Sequence, residues 1–390
     1  EIGRKMSKSL GNSVDPLDII RKYSADALRF SLIRLAATGQ DVYISDEKFE
    51  VGRNFATKIW NAARYVKMQT GEPPADIVKP ELDPAILSPD DRHILSTLHR
   101  TIAECTDALE RYRFNDSARL IHEFFWHQFC DWYVEYSKQV FREADAARRI
   151  QTGKILHYVL ANALRLLHPI MPFISEELWQ QMGYRTLAES IVVAPWPEAL
   201  SPEELARRWE VTPEVANYVE AKHDLIRMAR LLKADFGIPP SKKVSYIVRP
   251  ADKESAGRLE HDAASIAALL RAESLRIDSG FSPRKALPSR LSRLGMVYMP
   301  IEELIDVDAE IERLSTQLEK ISEDLRRLTR KLENEEFIRQ APPHVVARQE
   351  ERRNELLEKH DKIKAIMTML SEHAAASPRS PSEPRNTTEE

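Results

Sequence analysis

The chain has 390 residues, 43% of them apolar and 30% charged, with a net charge of −4 at pH 7. That length predicts two or three domains with real cores, no run of eighteen or more apolar residues marks a membrane helix, and Cys105 and Cys130, without CxxC spacing, support neither a disulfide framework nor a zinc knuckle and point to a reducing compartment. The near-neutral balance gives no global pull toward nucleic acid, so any RNA contact has to come from local basic surface.

From the amino end, Lys5-Met6-Ser7-Lys8-Ser9, between Gly3 and Gly11, puts two compact positive charges on a short serine-containing loop. Such a loop suits phosphate charge that grows on a leaving pyrophosphate. An exposed basic loop without chemistry is the plain alternative, and these five residue types alone do not exclude it. Asp15 as N-cap and Pro16 at the first helical position predict a helix directly afterwards, which gives the loop a fixed root.

From about residue 46 to residue 235 the pattern is mainly helical. Over 53–66, Phe55, Ile59, Ala62 and Val66 share one face, while Arg53, Lys58, Asn61 and Arg64 are polar positions suited either to phosphate contact or to plain solvation. Ser88-Pro89-Asp90-Asp91 combines a cap, an N1 proline and early acids, and Ile94, Leu98, Ile102, Cys105 and Leu109 then recur at helical spacing. Asn115 is read as the next cap, with Ile121, Phe125, Phe129, Trp132 and Tyr136 on one face; Ile155, Val159, Ala163 and Leu166 mark a third helix. Together these predict an antiparallel bundle. The rings between Phe124 and Tyr133 are assigned to core rather than to base stacking, because at helical period most of them point inward. His122 and His127 are assigned no site, since no acidic or cysteine partner is read at metal spacing. His168-Pro169-Ile170-Met171-Pro172 interrupts the helix twice and is read as a structural corner. A new helix with Glu176 and Glu177 in its first turn follows.

Around Gly237-Ile238-Pro239-Pro240 the composition changes. Val244 to Val248 reads as a strand, Leu259, Ile266, Leu269 and Leu270 as helix, and 275–277 and 296–298 as short strands, which makes a small α+β module. Lys242 and Lys243 are read as a solvated turn in preference to an RNA contact. Ile311, Leu314, Leu318, Ile321, Leu325, Leu328 and Leu332 form heptads; Ala341-Pro342-Pro343 interrupts them, and a second seam of Leu356, His360, Ile363, Met367 and Leu370 predicts an antiparallel coiled-coil hairpin. Between 326 and 353 the bases Arg326, Arg327, Arg330, Lys331, Arg339, Arg348, Arg352 and Arg353 outnumber five acids by three. A phosphate backbone rewards such a cluster through counterion release, with intramolecular salt bridges as the alternative. The tail from Ser377 is too polar to order itself.

Lys5 to Asn12 with Asp15-Pro16, followed by Tyr23-Ser24-Ala25-Asp26-Ala27-Leu28-Arg29-Phe30, resembles the second ATP-binding signature and following segment of class I aminoacyl-tRNA synthetases. Arg53-Asn54-Phe55-Ala56, Lys58-Ile59-Trp60-Asn61-Ala62, Phe125-Trp126-His127, Cys130-Asp131-Trp132-Tyr133, His168 to Phe173 and the hairpin resemble the valyl family rather than its isoleucyl or leucyl relatives. The resemblance runs from residue 1 to about 371. It implies a mainly α chain: the end of a Rossmann-type catalytic domain (1–45), a helical anticodon-binding domain (46–235), the α+β module (236–305), a coiled-coil tRNA-binding arm (306–371) and a disordered tail (372–390). It also implies that Lys5 and Lys8 are catalytic, that Met6, Ser7 and Ser9 join them in binding ATP, and that Mg2+ accompanies ATP with no protein ligand in this chain. The tRNA-binding candidates are then Arg53, Lys58, Asn61 and Arg64 with the eight hairpin bases. Valine and a valine-accepting tRNA are the other expected partners, in a cytoplasmic monomer away from membranes. An upstream His-Ile-Gly-His-type motif and an editing domain are missing from these residues and the chain opens on Glu1, so the fragment alone is expected to be inactive. Rival readings are a free-standing tRNA-binding module, the matching part of an isoleucyl enzyme, whose family carries a C-terminal zinc module that two isolated cysteines cannot supply, and a helical scaffold for protein partners.

Overall fold

The computed structural model describes residues 6, 14–36, 42, 44–75, 77–283, 287–300, 307–334, 339 and 341–376. Its contacts divide the chain into two units, Glu1–His223 and Asp224–Glu390.

The first unit is helical. Asp15 accepts from Leu17 N at 2.8 Å and Pro16 opens α1 (Pro16–Tyr23), as the cap-and-proline signature predicts. Ser24, with φ at 95°, separates it from α2 (Ala25–Leu35) and caps that helix through Ala27 N. The next helix, α3 (Asp46–Thr70), lies so close to α2 that a Cβ on Gly52 would stand 2.4 Å from Ala27 O. Only glycine lets the two backbones meet there.

In α4 (Pro89–Glu110), Ser88 and Asp91 form a reciprocal capping box, and Ile94, Leu98, Ile102 and Cys105 are all buried. The following helix, α5 (Phe114–Glu123), departs from expectation: it begins at Phe114, and Asn115 lies inside its first turn instead of capping it. The cause is a tight turn at Tyr112 (φ 58°), where Arg113 N closes on Ala108 O at 2.8 Å and leads the chain directly into the helix. From Phe124 to Val134 the helix widens to π geometry before returning to α6 (Glu135–Glu143). Ile121, Phe125, Phe129, Trp132 and Tyr136 are buried, and so are Phe124, Cys130 and Tyr133.

After the proline corner, α8 (Pro172–Gln181) starts at its second proline, so Glu176 and Glu177 fall in its second turn, not its first. The fixed φ of Pro172 suits position N1 and draws the start forward. Between α6 and that corner runs α7 (Ala146–Leu167), whose residues 155–167 are buried on every side. Spacing predicts a single inward face of Ile155, Val159, Ala163 and Leu166; the wider burial arises because α3, α4, α5, α6 and α8 all pack on this helix. The shorter α9 (Pro202–Trp209) and then α10 (Pro213–Asp235) follow. Charge is buried in compensated pairs: Asp91 receives Arg148 at 2.6 Å and the Tyr133 hydroxyl at 2.8 Å, and fully buried Lys222 meets Asp90 at 2.6 Å.

The second unit contains a four-stranded sheet of β1 (Tyr246–Pro250), β2 (Leu275–Ile277), β3 (Ser289–Ser292) and β4 (Gly295–Tyr298) in the order β2-β1-β4-β3. The first two are parallel and the other pairings antiparallel. The strand expected over 244–248 starts two residues later, because the ladder begins where Tyr246 meets Leu275. No strand is expected at Ser289-Arg290-Leu291-Ser292, which lacks β-branched and aromatic residues; it forms because a tight turn folds it back on β4. The expected helical stretch is split at Asp262 into α11 (Lys253–His261) and α12 (Ala263–Leu270).

Finally α13 (Val307–Glu333) and α14 (Pro343–Ala376) pack on each other as the predicted hairpin. Leu314, Leu325, Leu332, Ile363 and Leu370 are buried along the seam, and the other predicted seam residues are half-buried. The disorder expected over 372–390 does not begin at 372, since α14 continues through residues 372–376; the residues from Ser377 lie outside the described residues.

Candidate nucleic-acid interface

Of the loop from Lys5 to Ser9, only Met6 is described, and it is exposed; Lys5, Ser7, Lys8 and Ser9 lie outside the described residues. Its root is described. Ile19, Tyr23, Ala27 and Phe49 form one apolar cluster that joins α1, α2 and α3. A polar clamp then ties α2 to the proline corner. Arg29 donates to Ile170 O and Pro169 O, each at 3.0 Å, and buried Asp26 accepts from Ile174 N at 2.7 Å and Phe173 N at 3.2 Å. Asp26 thereby does for α8 what a local N-cap would do. Burial raises its carboxyl above the usual range, against the opposite pull of those two N–H donors. Reading the corner from sequence finds the prolines and misses their holder; the available signal was an acid and a base three residues apart on the helix that buries Ala27 and Phe30.

Further along, α3 presents Arg53, Lys58, Asn61 and Arg64 away from its buried stripe of Phe55, Ile59, Ala62 and Val66. Arg53 is exposed, 3.7 Å from Glu50, with its guanidinium 5.6 Å from the Tyr23 ring. Lys58 differs: it is half-buried, pairs with Asp131 at 2.8 Å and sits 5.1 Å over the Trp126 ring. A phosphate at Lys58 would compete with a carboxylate already in place. Asn61 and Arg64 are exposed.

His122 lies among Phe30, Phe55 and Trp126, with ring centroids between 4.7 and 5.8 Å away. Burial pushes its imidazole down to about 4, so it is a neutral packing ring at pH 7. His127, read from sequence as lacking an acidic partner at metal spacing, does have acidic neighbours: Asp131 at 3.0 Å and Glu123 at 3.8 Å, four residues to either side. Among the described residues, no group of three His, Cys, Asp or Glu side chains is placed to hold a metal ion.

The hairpin brings its bases together from both helices. Of the eight bases between 326 and 353, all but half-buried Arg353 are exposed. Arg327, Lys331 and Arg352 line a shallow groove of about 290 Å³ with Leu328 and Leu356. Arg327 pairs with Asp324 at 2.6 Å, whereas Arg330, Arg348 and Arg352 have no ion-pair partner among the described residues. Arg353 turns its Nε into the hairpin, where that atom is buried without a hydrogen bond.

Three family models match the chain. One described as tRNA synthetases class I (I, L, M and V) covers residues 1–45, one described as the anticodon-binding domain of tRNA ligase covers 91–248, and one described as the valyl tRNA synthetase tRNA binding arm covers 306–371. A valine–tRNA ligase of Geobacillus kaustophilus (strain HTA426) is 38% identical over 378 residues, which span 94% of this chain and 40% of the relative. That of Bacillus subtilis (strain 168) is 37% identical over 371 residues, 95% of this chain and 41% of the relative. That of Aquifex aeolicus (strain VF5) is 36% identical over 379 residues, 94% of this chain and 31% of the relative. The chain thus spans between about a third and two fifths of the length of these relatives.

Proposed function

For a chain that belongs to the valyl-tRNA synthetase family and corresponds to the C-terminal portion of its members, we propose that it supplies the second ATP-contacting loop and the tRNA-binding domains of a valine–tRNA ligase. The complete protein then joins valine to ATP as valyl-adenylate and passes the acyl group to a valine-accepting tRNA. Residues 1–45 close the catalytic domain. Lys5 and Lys8 neutralise the departing pyrophosphate, Met6, Ser7 and Ser9 complete the ATP contact, and Mg2+ enters on the nucleotide's phosphates. The bundle over 46–235 approaches the anticodon arm, with Arg53, Asn61 and Arg64 contacting backbone. The module over 236–305 follows, and the arm over 306–371 lies along the RNA. The protein acts as a cytoplasmic monomer.

The observation that carries this reading is the hairpin. Its apolar seam is covered by its own return helix, so among the described residues no open apolar stripe is left for a second chain, while seven bases face outward near its tip. A dimerisation coil would present the opposite arrangement. Outward charge without an open seam favours a polyanion. For the catalytic part, Lys8→Ala in a full-length version is expected to lose ATP–pyrophosphate exchange. The expected loss at the transition state is about 2.7–4 kcal/mol, by analogy with a deleted oxyanion donor. Binding of tRNA stays intact. Undiminished exchange would refute the role given to Lys8.

A further inference from the structure

The sheet of the second unit has two unlike faces. Strand register puts Tyr246, Val248 and Val297 on one, and all three are buried. That face is closed by α11 and α12, and Arg290 on it reaches Asp235 of α10 at 3.1 Å. The same register puts Ile247, Arg249, Arg276, Leu291, Met296 and Tyr298 on the opposite face. Only Tyr298 of these six is buried, and Leu291 is 71% exposed.

Across this open face runs a row of planar groups. Phe281 covers Tyr298 edge-on with ring centroids 5.0 Å apart. The Arg249 guanidinium lies 5.8 Å from the Tyr298 ring, and that of Arg276 lies 5.5 Å from the Phe281 ring. Ile247 stands between, opposite Tyr298 on one side and Arg276 on the other. Arg276 has Asp278 at 3.6 Å, whereas Arg249 has no ion-pair partner among the described residues. Charge agrees with geometry: residues 241–300 hold eleven Lys and Arg against six Asp and Glu, in a chain whose net charge is −4.

A flat, half-apolar face with arginines held over rings matches what unpaired nucleotides need. Their bases stack on ring and guanidinium planes, and the guanidinium donors reach the phosphates between them. A paired helix hides its base faces and gains only the charge term. A protein partner would gain from the apolar patch, but only an acidic one would also gain from the surplus of arginine. We propose that this open sheet face binds an unpaired RNA segment, stacking about two bases over Phe281, Arg276 and Arg249. The site rests on the reading of the chain as an RNA binder and uses elements other than the hairpin and α3.

The test uses the full chain and a fluorescein-labelled, eight-nucleotide single-stranded RNA of mixed sequence, followed by anisotropy across a salt series. The double variant Arg249→Glu with Arg276→Glu is expected to weaken binding of this probe about tenfold or more, and to reduce the slope of log K against log salt by about 1.4. A duplex RNA of the same length, which has only the charge term to lose, is expected to weaken less than the single strand. Phe281→Leu, which preserves the apolar cover of Tyr298, is expected to weaken the single strand severalfold with no change in salt slope. Wild-type affinity of the double variant, or an equal loss on duplex and single strand, would overturn the site. An unaffected Phe281→Leu protein would overturn the stacking. The triple hairpin reversal Arg326→Glu, Arg327→Glu and Arg330→Glu separates this proposal from the functional reading, because it is expected to weaken tRNA while leaving the eight-nucleotide probe bound. If tRNA binding survives that reversal while the double variant still loses the probe, the hairpin reading fails and the sheet site stands.

Discussion

The helical bundle and the C-terminal hairpin use charge in opposite ways. In the bundle, Asp91 has no exposed surface and is met by Arg148 and Tyr133, and Lys222 is fully buried against Asp90. In the hairpin the seam buries leucine and isoleucine, and seven of the eight bases near its tip stand in water. A buried pair penalises any packing that separates its members, so the bundle's charges specify its own assembly. Exposed charges contribute little to stability and remain available to a partner. The same residue types therefore hold the fold in one region and offer a surface in the other.

The sharpest way to break this comparison is Asp91→Ala. It leaves the Arg148 guanidinium and the Tyr133 hydroxyl buried without their acceptor, and is expected to cost about 3–5 kcal/mol, read by urea unfolding. All six tryptophans lie within residues 1–223, so their fluorescence reports the bundle alone. A cost below about 0.5 kcal/mol, the range of ordinary surface changes, would erase the distinction between the two regions.

Acid is the next lever. Burial holds the imidazoles of His93, His99 and His157 down at about 4, against an ordinary value of 6.5. These groups are neutral when folded and take up protons once unfolded below pH 6.5. Their contribution is therefore complete above pH 6.5 and is lost as pH falls from 6.5 toward 4, by up to about 1.4 kcal/mol per pH unit for each. The tryptophan-detected urea midpoint should fall through that window. A flat profile would mean that these histidines are not sealed from solvent.

A smaller effect is expected at the α2–α3 contact. Gly52→Ala forces a Cβ against the Ala27 backbone and should cost about 1–3 kcal/mol. Gly257→Ala, where an added Cβ meets nothing within 4 Å, should stabilise α11 by about 0.5–1 kcal/mol. Equal outcomes would remove the case for close backbone contact at Gly52.

Last in its effect on stability is the triple hairpin reversal at Arg326, Arg327 and Arg330, expected to stay within about 0.5 kcal/mol of the parent. Its effect appears in binding, where the salt slope for tRNA should shrink by about 2.7. Destabilisation on the scale of Asp91→Ala would show that the hairpin's charges hold its fold after all.

Much of the architecture is legible wherever a signal is local. Ser88 with Asp91, Asp15 with Pro16, the leucine heptads and the short strand at 275–277 each rest on neighbours within a turn or a strand, and the structure places them where their spacing does. Local signals mislead where a neighbour in space takes over. Asn115 has the chemistry of a cap, yet the Tyr112 turn starts the helix before it. The strand at 289–292 has no strand composition of its own and forms because β4 lies beside it. Among candidate site residues, Lys58 reads as a free cation until Asp131, distant in sequence, is seen to meet it. Lys5 and Lys8 were legible only as a motif.

By itself, the order of residues determined the caps of α1 and α4, the inward faces of α3 and α4 and the charge surplus near the hairpin tip, since each depends on groups a few positions apart along one chain. Tertiary structure alone decided that Asp26 and Arg29 hold the proline corner, that α7 is covered on every side, and that the sheet leaves one face open beneath Arg249 and Arg276. Those outcomes depend on backbone donors, carboxylates and rings brought together across tens or more than a hundred residues, and spacing along a sequence carries no measure of that approach.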